Sequence, residues 1–443
     1  FSFLTYFYQL LFLLLYIQVS CTHIAHLLSM TQNKSKFKIC IIGLGYVGLP
    51  LASRFSSKGF DVLGFDINKD RILELQNSVD RNDDIDISDL DDLLSKCKFS
   101  SNAEDMSDRN IFIITVPTPI NDDKTPNLEP LIKSSELVGK YISKGSTIVY
   151  ESTVYPGVTD DVCTPILEKE SGLVFNIDFF TGYSPERLVP GDKVNTIEKI
   201  IKVVSGSNSK TLDLVTYLYS SVIDAGVHQA SSIKIAEASK VTENIQRDVN
   251  IALMNELHQM YTLLEIDTHE VIEAASTKWN FMKLKPGLVG GHCISIDPYY
   301  LMHKSKMSGY SPDIMIKARE VNEGMGEWVI SNFLNYIKLK NIDLHSINIT
   351  FLGYTFKENC SDTRNTKVKD IIFSIKKLGA SVSLWDPLLD MDEVDALESE
   401  GINIYRTKPR DLQFAFLCTQ HNEILDFLET YDGPLFDYKK ITY

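Results

Sequence analysis

The sequence lacks the features of disulfide-stapled, zinc-binding and nucleic-acid-binding proteins. Its seven cysteines are scattered, odd in number and free of CxxC spacing, and its nine histidines form no cluster. This predicts reduced thiols in the cytoplasm and no metal site. The formal net charge of −15 argues against a nucleic-acid groove. Any polyanionic ligand must therefore be held by local Lys, Arg and backbone amides.

Charged residues are also missing from positions 1–29, and Phe1–Ile17 is almost wholly apolar. A membrane anchor needs about 17–25 apolar residues, so this run is at the short end. A signal peptide would begin with a basic segment, and a lipoprotein signal would have an aliphatic residue where Gln18 stands. Met30 opens the first polar segment. We expect residues 1–35 to be an apolar extension, non-native or disordered, with no membrane partner.

A strand, a GxGxxG turn, a helix and a second strand that ends in an acid follow from Phe37 onward. Such glycines permit a tight turn and close approach of a pyrophosphate, while the helix N-terminus faces the phosphates. A carboxylate about 20 residues downstream accepts hydrogen bonds from ribose hydroxyls and repels a 2′-phosphate, which favours NAD over NADP. The predicted cofactor-binding residues of this segment are Gly43, Gly45, Tyr46, Val47, Gly48 and Asp66.

Two further apolar strands end in candidate loops for the nicotinamide pocket. Ile111–Val116 precedes Pro117 and Thr118, and Thr147–Tyr150 precedes Ser152 and Thr153. Parallel sheets hold ligands at the carboxyl ends of their strands. Pro-rich turns that only close the strands would give the same pattern. Glu186 and Arg187 likewise follow the strand that begins near Phe179.

Helical periodicity without proline or glycine predicts one long helix from about Ile233 to Glu265. Lys240 and Asn244 are four residues apart and therefore share a face. Taken alone, a mid-helix lysine such as Lys240 is more often a solvated surface residue than part of a functional site. A helix of this length either packs against its copy in a dimer or spans two domains.

A cysteine stands behind a glycine pair in Gly290-Gly291-His292-Cys293, and Asp297 follows four residues later. The glycines allow backbone angles and close approaches that side chains forbid. The thiol is then either a nucleophile beside a bound ligand or an inert buried cysteine in a Gly-rich turn. The residues of this stretch alone do not choose between them.

These motifs occur together and in order, and from about Lys36 onward the chain resembles the nucleotide-sugar 6-dehydrogenase family. That family includes UDP-glucose and GDP-mannose dehydrogenases. The sequence Pro-Gly-Leu-Val-Gly-Gly-His-Cys, followed by Asp-Pro-Tyr-Tyr-Leu, is most similar to the branch acting on UDP-N-acetylglucosamine and UDP-N-acetylgalactosamine in bacterial surface-polysaccharide synthesis. UDP-glucose enzymes usually carry Ser and Glu where this chain has His292 and Pro190, which disfavours UDP-glucose.

The alternation of strands and helices, with this resemblance, implies an α/β fold of two Rossmann-like domains joined by a central long-helix domain. We expect an NAD-binding domain at 36–230, a helical dimerisation and catalytic domain at 231–335, and a UDP-sugar-binding domain at 336–443. The last contains a second βαβ unit with a strand at Ser381–Trp385 but no GxGxxG, so a second dinucleotide is not expected. The implied partners are a UDP-sugar substrate and a second copy of the chain, as a homodimer or higher homo-oligomer.

The resemblance also implies a mechanism, in which two hydrides leave the C6 carbon for two NAD⁺ molecules bound in turn. Lys240 and Asn244 stabilise charge on the C6 oxygen, and Cys293 forms a thiohemiacetal and then a thioester that water hydrolyses. Asp297, Glu186 and Thr153 share the base and water-positioning roles, and Arg364 lies near the cofactor. The implied substrate-binding residues are Glu186, Arg187, Lys240, Asn244, Gly290, His292 and Lys357.

Three other interpretations remain open at this point. One is the same chemistry on another sugar nucleotide: UDP-glucose, UDP-N-acetylmannosamine, or a dTDP- or GDP-sugar. A simpler β-hydroxyacid-type reductase would yield one NADH per substrate and would not need Cys293. A catalytically silent NAD-binding scaffold is disfavoured, because it has no physical need for Glu186, Lys240, Asn244 and Asp297 together with the cysteine.

Overall fold

The computed structural model describes residues 34–80, 92–93, 95–188 and 194–440. Almost all of the expected extension at 1–35 lies outside the described residues, and so does Pro190. The chain divides into two compact units. The N-terminal unit runs to Thr118 and again from Asn127 to Lys240, and the C-terminal unit comprises Pro119–Pro126 and Val241–Tyr443.

The N-terminal unit contains an eight-stranded sheet in the order β3-β2-β1-β4-β5-β6-β7-β8, parallel except for the β6–β7 pair. Its strands are β1 (Lys38–Ile42), β2 (Asp61–Phe65), β3 (Cys97–Ser100), β4 (Ile111–Ile114), β5 (Thr147–Tyr150), β6 (Phe180–Tyr183), β7 (Lys202–Gly206) and β8 (Val227–Gln229). Its helices are α1 (Gly48–Ser57), α2 (Lys69–Gln76), α3 (Glu129–Gly139), α4 (Thr164–Ser171) and α5 (Ser209–Ser220).

The central strands of this sheet are buried on both faces. All four residues of β4 are buried, as are all four of β5. Such strands are short continuous apolar runs in sequence because helices cover both sides of a parallel sheet. Helices α1 and α5 supply part of that cover through Phe55 and Leu218.

The strand order reverses on either side of β1, which pairs with β2 on one side and β4 on the other. Ile42 is level with Phe65 and with Ile114, so these three strands end together. Ligands of open parallel sheets bind at this kind of reversal, beyond the carboxyl ends of the strands.

The C-terminal unit combines long helices with a five-stranded parallel sheet in the order β11-β10-β9-β12-β13. The first helices are α6 (Ile233–Leu263), α7 (Thr268–Ala275), α8 (Asp297–Met307) and α9 (Asp313–Leu339). There follow β9 (Asn348–Leu352), α10 (Lys367–Lys377), β10 (Ser381–Trp385), α11 (Met391–Ser399), β11 (Asn403–Ile404), β12 (Phe414–Leu417), α12 (Asn422–Leu428) and β13 (Leu435–Asp437). The predicted α/β fold, with long helices between two sheets, is confirmed.

Helix α6 begins where the periodicity predicts and ends within two residues of the expected position. It starts in the N-terminal unit, which contains Lys240, and continues into the C-terminal unit, which contains Asn244. Within the described part of the chain, every helix is too short or too polar to span a membrane.

Candidate active site

The glycine turn after β1 has the geometry of a phosphate-binding loop. Gly43 has a φ of +94°, and Thr115 Oγ1 donates to its carbonyl oxygen at 2.7 Å. A Cβ on Gly48 would lie 1.9 Å from that oxygen, so this position has room only for glycine. A Cβ on Gly45 would meet no atom within 4 Å. Gly45 therefore leaves open space beside the start of α1, where a pyrophosphate can approach the backbone.

Asp66 stands directly after β2 and is tied to the same turn. Its Oδ2 accepts a hydrogen bond from the Leu44 amide at 2.8 Å, and its Oδ1 accepts one from the Asn68 amide at 2.8 Å. Each carboxylate oxygen keeps a further lone pair for a ribose hydroxyl. Tyr46 and Val47 lie in the turn itself, half-buried and buried respectively. These residues fit NAD, as predicted.

The two glycines give a matched prediction for NAD binding. Gly45→Ala adds a methyl group only where the cofactor is expected, so the unliganded protein should keep its melting temperature while NAD binds about tenfold or more weakly. Gly48→Ala forces its methyl group into the Gly43 carbonyl and should destabilise the fold by about 1–3 kcal/mol. Thermal unfolding with and without NAD measures both effects. A Gly45→Ala protein with native NAD affinity would contradict the assignment of this loop.

The predicted loops after β4 and β5 lie side by side. Ser152 Oγ donates to the carbonyl oxygen of Val116 at 2.6 Å, and Tyr183 donates to the carbonyl oxygen of Ser152 at 3.1 Å. Thr118 is buried and Thr153 is half-buried. The structure thus brings together the loops expected to border the nicotinamide.

A buried charge cluster, formed by Glu151, Lys202, Glu186 and Tyr219, lies at the same edge of the sheet. Lys202 Nζ contacts Glu151 Oε2 at 2.5 Å and Glu186 Oε2 at 3.2 Å, and the Tyr219 hydroxyl donates to Glu151 Oε1. Burial, reinforced by the charge of Glu186, raises the pKa of Glu151 to about 7, although Lys202 opposes the shift. Sequence reasoning missed Lys202 and Tyr219 as members of a site.

Glu186, a predicted site residue, is held as a carboxylate within this cluster. Burial alone would raise its pKa, but Lys202, the Leu188 amide and the charge of Lys240 together lower it. Glu186 Oε1 accepts from the amides of Arg187 and Leu188 at 2.6 and 2.5 Å. The guanidinium of Arg187 donates to the carbonyl oxygen of Ile201 at 2.6 Å. Lys240 is thus an electrostatic neighbour of Glu186 within the N-terminal unit.

In the C-terminal unit, Cys293 differs from the other described cysteines by being partly exposed. Burial raises the pKa of Cys97 and of Cys163 to about 12, and it also raises that of Cys360. The Asp297 amide donates to the carbonyl oxygen of Cys293 at 2.9 Å, so the aspartate opens α8 one turn beyond the thiol. A partly exposed thiol one turn before a helix is a suitable position for a nucleophile.

Asn244 and Asp297 form a direct pair in this unit. Asn244 Nδ2 donates to Asp297 Oδ2 at 2.6 Å, and both side chains are buried. The bond fixes which way the amide points and leaves its second N–H free to donate to a ligand. Two predicted site residues, far apart in sequence, are therefore in contact.

The glycine pair Gly290-Gly291 permits a close approach, as predicted for a ligand, but the group that packs against it is the side chain of Phe356. A Cβ on Gly290 would lie 2.8 Å from Phe356 Cβ, and one on Gly291 would lie 2.7 Å from the Phe356 ring. His292 follows them, and burial, then the charge of Arg364, lower its pKa. A neutral imidazole suits substrate contact better than cationic support of a thiolate. Arg364 itself binds Asp362 through two nitrogens, at 2.9 and 2.5 Å.

A cavity of about 170 Å³, here called the C-terminal cavity, opens beyond the carboxyl ends of β9, β12 and β13. Three lysines line it, and the predicted Lys357 is one of them. Lys439 contacts Glu358 at 3.5 Å, and Lys367 contacts Glu323 at 2.8 Å. The lining residues are Gly287, Leu288, Gly290, Thr355, Phe356, Lys357, Glu358, Thr366, Lys367, Val368, Cys418, Thr419, Tyr438 and Lys439. Lysines on such a rim suit a diphosphate.

A buried Asp386–His421 pair supports the loop of this cavity. Asp386 Oδ2 accepts from the amides of Tyr354 and Thr355 at 2.6 and 3.1 Å and lies 3.0 Å from His421 Nε2. His421 Nδ1 accepts from the Asn359 amide at 2.9 Å. The ring proton is therefore on Nε2, between Asp386 and Thr355.

Comparison with known proteins matches three successive parts of the chain to one family. Three domains of the UDP-glucose/GDP-mannose dehydrogenase family match: the NAD-binding domain over residues 37–223, the central domain over 234–324 and the UDP-binding domain over 350–442. The chain is 50% identical over 365 residues to the UDP-N-acetyl-D-glucosamine 6-dehydrogenase of Pseudomonas aeruginosa, covering 82% of this chain and 86% of that protein. Protein CapL of Staphylococcus aureus is 47% identical, covering 91% and 96%.

A solved UDP-D-ManNAc dehydrogenase from Pyrococcus horikoshii has a TM-score of 0.79 and 28% identity, covering 90% of this chain and 94% of that one. The shared fold, the NAD-type glycine turn and the three matched domains agree. The chain therefore belongs to the UDP-glucose/GDP-mannose dehydrogenase family and is an NAD-dependent nucleotide-sugar 6-dehydrogenase.

Proposed function

We propose that the chain oxidises the C6 hydroxymethyl group of UDP-N-acetylglucosamine to a carboxylate, with UDP-N-acetylgalactosamine as the second candidate. Two relatives named UDP-N-acetyl-D-glucosamine 6-dehydrogenase, from Pseudomonas aeruginosa and Salmonella typhi, are 50% identical to it. A UDP-N-acetyl-D-mannosamine dehydrogenase of Methanocaldococcus jannaschii is 32% identical. The observation that carries the chemistry is the accessible Cys293, one helical turn from the Asn244–Asp297 pair.

The first role of these side chains is to stabilise charge on the C6 oxygen. Asn244 has one N–H committed to Asp297, which orients the other for an alkoxide or a tetrahedral oxyanion. Lys240 lies one helical turn earlier on α6 and supplies an ammonium group on the same face. Bound NAD⁺ accepts one hydride in each of the two oxidation steps.

Cys293 carries the intermediate between the two oxidations. Its thiolate forms a C–S bond to the C6 aldehyde, and the aldehyde oxygen takes a proton to give a thiohemiacetal. Loss of a hydride from C6 and of the hydroxyl proton gives a thioester. Water then adds to the thioester carbonyl and the C–S bond breaks, which releases the carboxylate and regenerates the thiol.

Glu186 and Thr153 are proposed to position the hydrolytic water. Glu186 is suited to accept a proton or a hydrogen bond from water because Lys202 and Lys240 favour its ionised form. Asp297 is the residue that orients Asn244, which separates its proposed role from that of Glu186.

A substrate panel tests the function. UDP-N-acetylglucosamine, UDP-N-acetylgalactosamine, UDP-N-acetylmannosamine and UDP-glucose are each incubated with excess NAD⁺, and absorbance gives the NADH formed per mole of sugar consumed. We expect two NADH per sugar and the highest kcat/KM with UDP-N-acetylglucosamine. One NADH per sugar would support the simpler reductase chemistry, and the highest kcat/KM with UDP-glucose would overturn the proposed substrate.

We further propose a cytoplasmic homodimer formed through the second half of α6. None of the six described cysteines forms a disulfide, as expected in a reducing compartment. Met260, in the last turn of α6, is 47% exposed, and Leu264, the first residue after α6, is 58% exposed. Trp279, nearby in sequence, is 91% exposed. Uncovered apolar residues at helical spacing are typical of a face that packs against its own copy.

Charging this face should separate the two copies. Met260→Asp with Leu264→Asp is expected to convert a species of twice 50.1 kDa into a 50.1 kDa monomer in sedimentation velocity. Ile177→Asp, which changes an equally apolar residue that is 73% exposed in the N-terminal unit, serves as the control and should stay dimeric. A native chain that sediments as a monomer would rule the dimer out.

A further inference from the structure

The turn that carries Cys293 is held by a corner of the chain more than 70 residues further on. The Gly291 amide donates to the carbonyl oxygen of Arg364 at 3.1 Å, and Asn365 Nδ2 donates to the carbonyl oxygen of Gly291 at 3.0 Å, across 74 residues of sequence. Both backbone polar groups of one residue are thus bound by two consecutive residues. The Gly291 carbonyl oxygen also accepts from Ser295 Oγ at 2.5 Å within the same turn. The cysteine follows two positions after Gly291, so these bonds together set the backbone from which the thiol projects.

Asn365 combines this contact with an unusual backbone conformation. Its φ is +54°, in the left-handed region that asparagine tolerates better than most residues. The next residue, Thr366, donates to the carbonyl oxygen of Tyr354 at 2.6 Å and caps α10 by accepting from the Val368 amide. The Arg364–Asn365 corner is therefore anchored at the start of α10 by hydrogen bonds of Thr366.

Phe356 packs against the same turn from a second direction. Cβ atoms on Gly290 and Gly291 would lie 2.8 and 2.7 Å from Phe356, so the two glycines and the phenyl group are already in close contact. A tightly packed contact transmits a displacement because it has no space in which to absorb it. A shift of Phe356 toward the turn must therefore move the turn.

Residues that pack against the turn also line the C-terminal cavity. Phe356 and Thr366 are on its wall, and so is Gly290 itself. A nucleotide bound there contacts the phenyl group and the threonine that flank the two attachments on Gly291. One set of side chains thus lines the cavity and packs against the turn that carries Cys293.

We propose that Asn365 is a positioning residue that couples binding of the substrate's UDP group in the C-terminal cavity to the presentation of Cys293. The proposal deepens the proposed function and rests on it in taking Cys293 as the nucleophile. UDP binding displaces Phe356 and Thr366, and the displacement passes through the Arg364–Asn365 corner to the Gly291 peptide and hence to the thiol. A sugar is then oxidised efficiently only while its nucleotide is bound.

The test compares Asn365→Gly with Asn341→Gly in the full-length protein. Glycine keeps a positive φ without strain, so each change removes only an amide side chain. Asn341 has a φ of +53° and is exposed at the end of α9, which makes it a matched control. Calorimetry gives the UDP affinity, steady-state kinetics give kcat and KM, and peptide mass spectrometry gives the alkylation rate of Cys293 by iodoacetamide with and without UDP.

In the native and Asn341→Gly proteins, UDP should change the alkylation rate of Cys293 by about threefold or more. Asn365→Gly should bind UDP within about twofold of the native affinity, lose the alkylation response, and lose about tenfold to a hundredfold in kcat with little change in KM. If UDP only shielded the thiol directly, Asn365→Gly would keep the full response and the coupling would be overturned. Steady-state turnover by Cys293→Ser would instead defeat the proposed function, so the two failures are distinguishable.

Discussion

A Cys293→Ser protein is expected to lose steady-state NADH production by about a thousandfold or more, because a serine hydroxyl is a far weaker nucleophile than a thiolate near neutral pH. The first oxidation does not require the thiol, so one hydride transfer or a stalled adduct should survive. No uronate should be released, because no thioester forms to be hydrolysed. Stopped-flow absorbance measures the first NADH, and mass spectrometry of the product pool measures the uronate.

Cys360→Ser is the control for this substitution. Cys360 belongs to the same unit and is 5% exposed, and burial raises the pKa of its thiol. The same atomic change there should leave turnover within about twofold of the native rate, since it touches no proposed step. Unimpaired NADH production by Cys293→Ser would remove the covalent mechanism and favour chemistry with a single oxidation.

Much of the fold follows from local pattern alone. The strands at Thr147–Tyr150 and Ser381–Trp385 coincide with the predicted runs, because a strand buried on both faces is a short apolar segment with polar ends. The GxGxxG turn and Asp66 are predictable for a similar reason. Their contacts depend on a strand–turn–helix–strand unit that is contiguous in sequence.

The tertiary pairings of the site could not be predicted in this way. Lys202 lies within Ile-Ile-Lys-Val-Val, where a lysine is most simply an exposed strand position, and its partner Glu151 is 51 residues away. The sequence does contain one clue, a single lysine in an otherwise apolar strand. A lysine in such a strand is buried only when it is paired with an acid. The Asn365–Gly291 bond spans 74 residues and has no local signature. Periodicity shows which face of an element is buried, but it does not show which element covers it.

Removing the buried cation should produce the second large effect. Lys202→Met leaves Glu151 and Glu186 in a desolvated site without their shared counter-charge, since Lys202 is 2.5 and 3.2 Å from their oxygens. Breaking a buried ion pair by deleting one partner costs about 3–5 kcal/mol, and we expect that loss in the free energy of unfolding. The folded fraction of the Lys202→Met protein should also hydrolyse the thioester slowly, because Lys202 no longer lowers the pKa of Glu186.

Glu151→Gln replaces an acid of the same cluster by a neutral amide and should behave differently. Burial and Glu186 raise the pKa of Glu151 from 4.5 to about 7, so in this range the native chain holds a proton that the unfolded chain releases. Protonated Glu151 therefore contributes fully to the free energy of unfolding below about pH 4.5, and this contribution is lost as the pH rises through about 7. Glutamine keeps the shape without titrating, so the variant should lose less stability than the native protein between pH 5 and pH 8.

Urea unfolding of the native, Lys202→Met and Glu151→Gln proteins at those two pH values measures both effects. Glu237, whose pKa burial also raises to about 7, contributes the same slope to all three proteins and cancels in their differences. Glu186 has a lowered pKa, so its contribution to the free energy of unfolding is lost as the pH falls, which is opposite to that of Glu151. Equal destabilisation by the two substitutions would show that the cluster needs both charges. The expected asymmetry would instead show that Lys202 serves chiefly to keep Glu186 ionised, while Tyr219 and a proton satisfy Glu151.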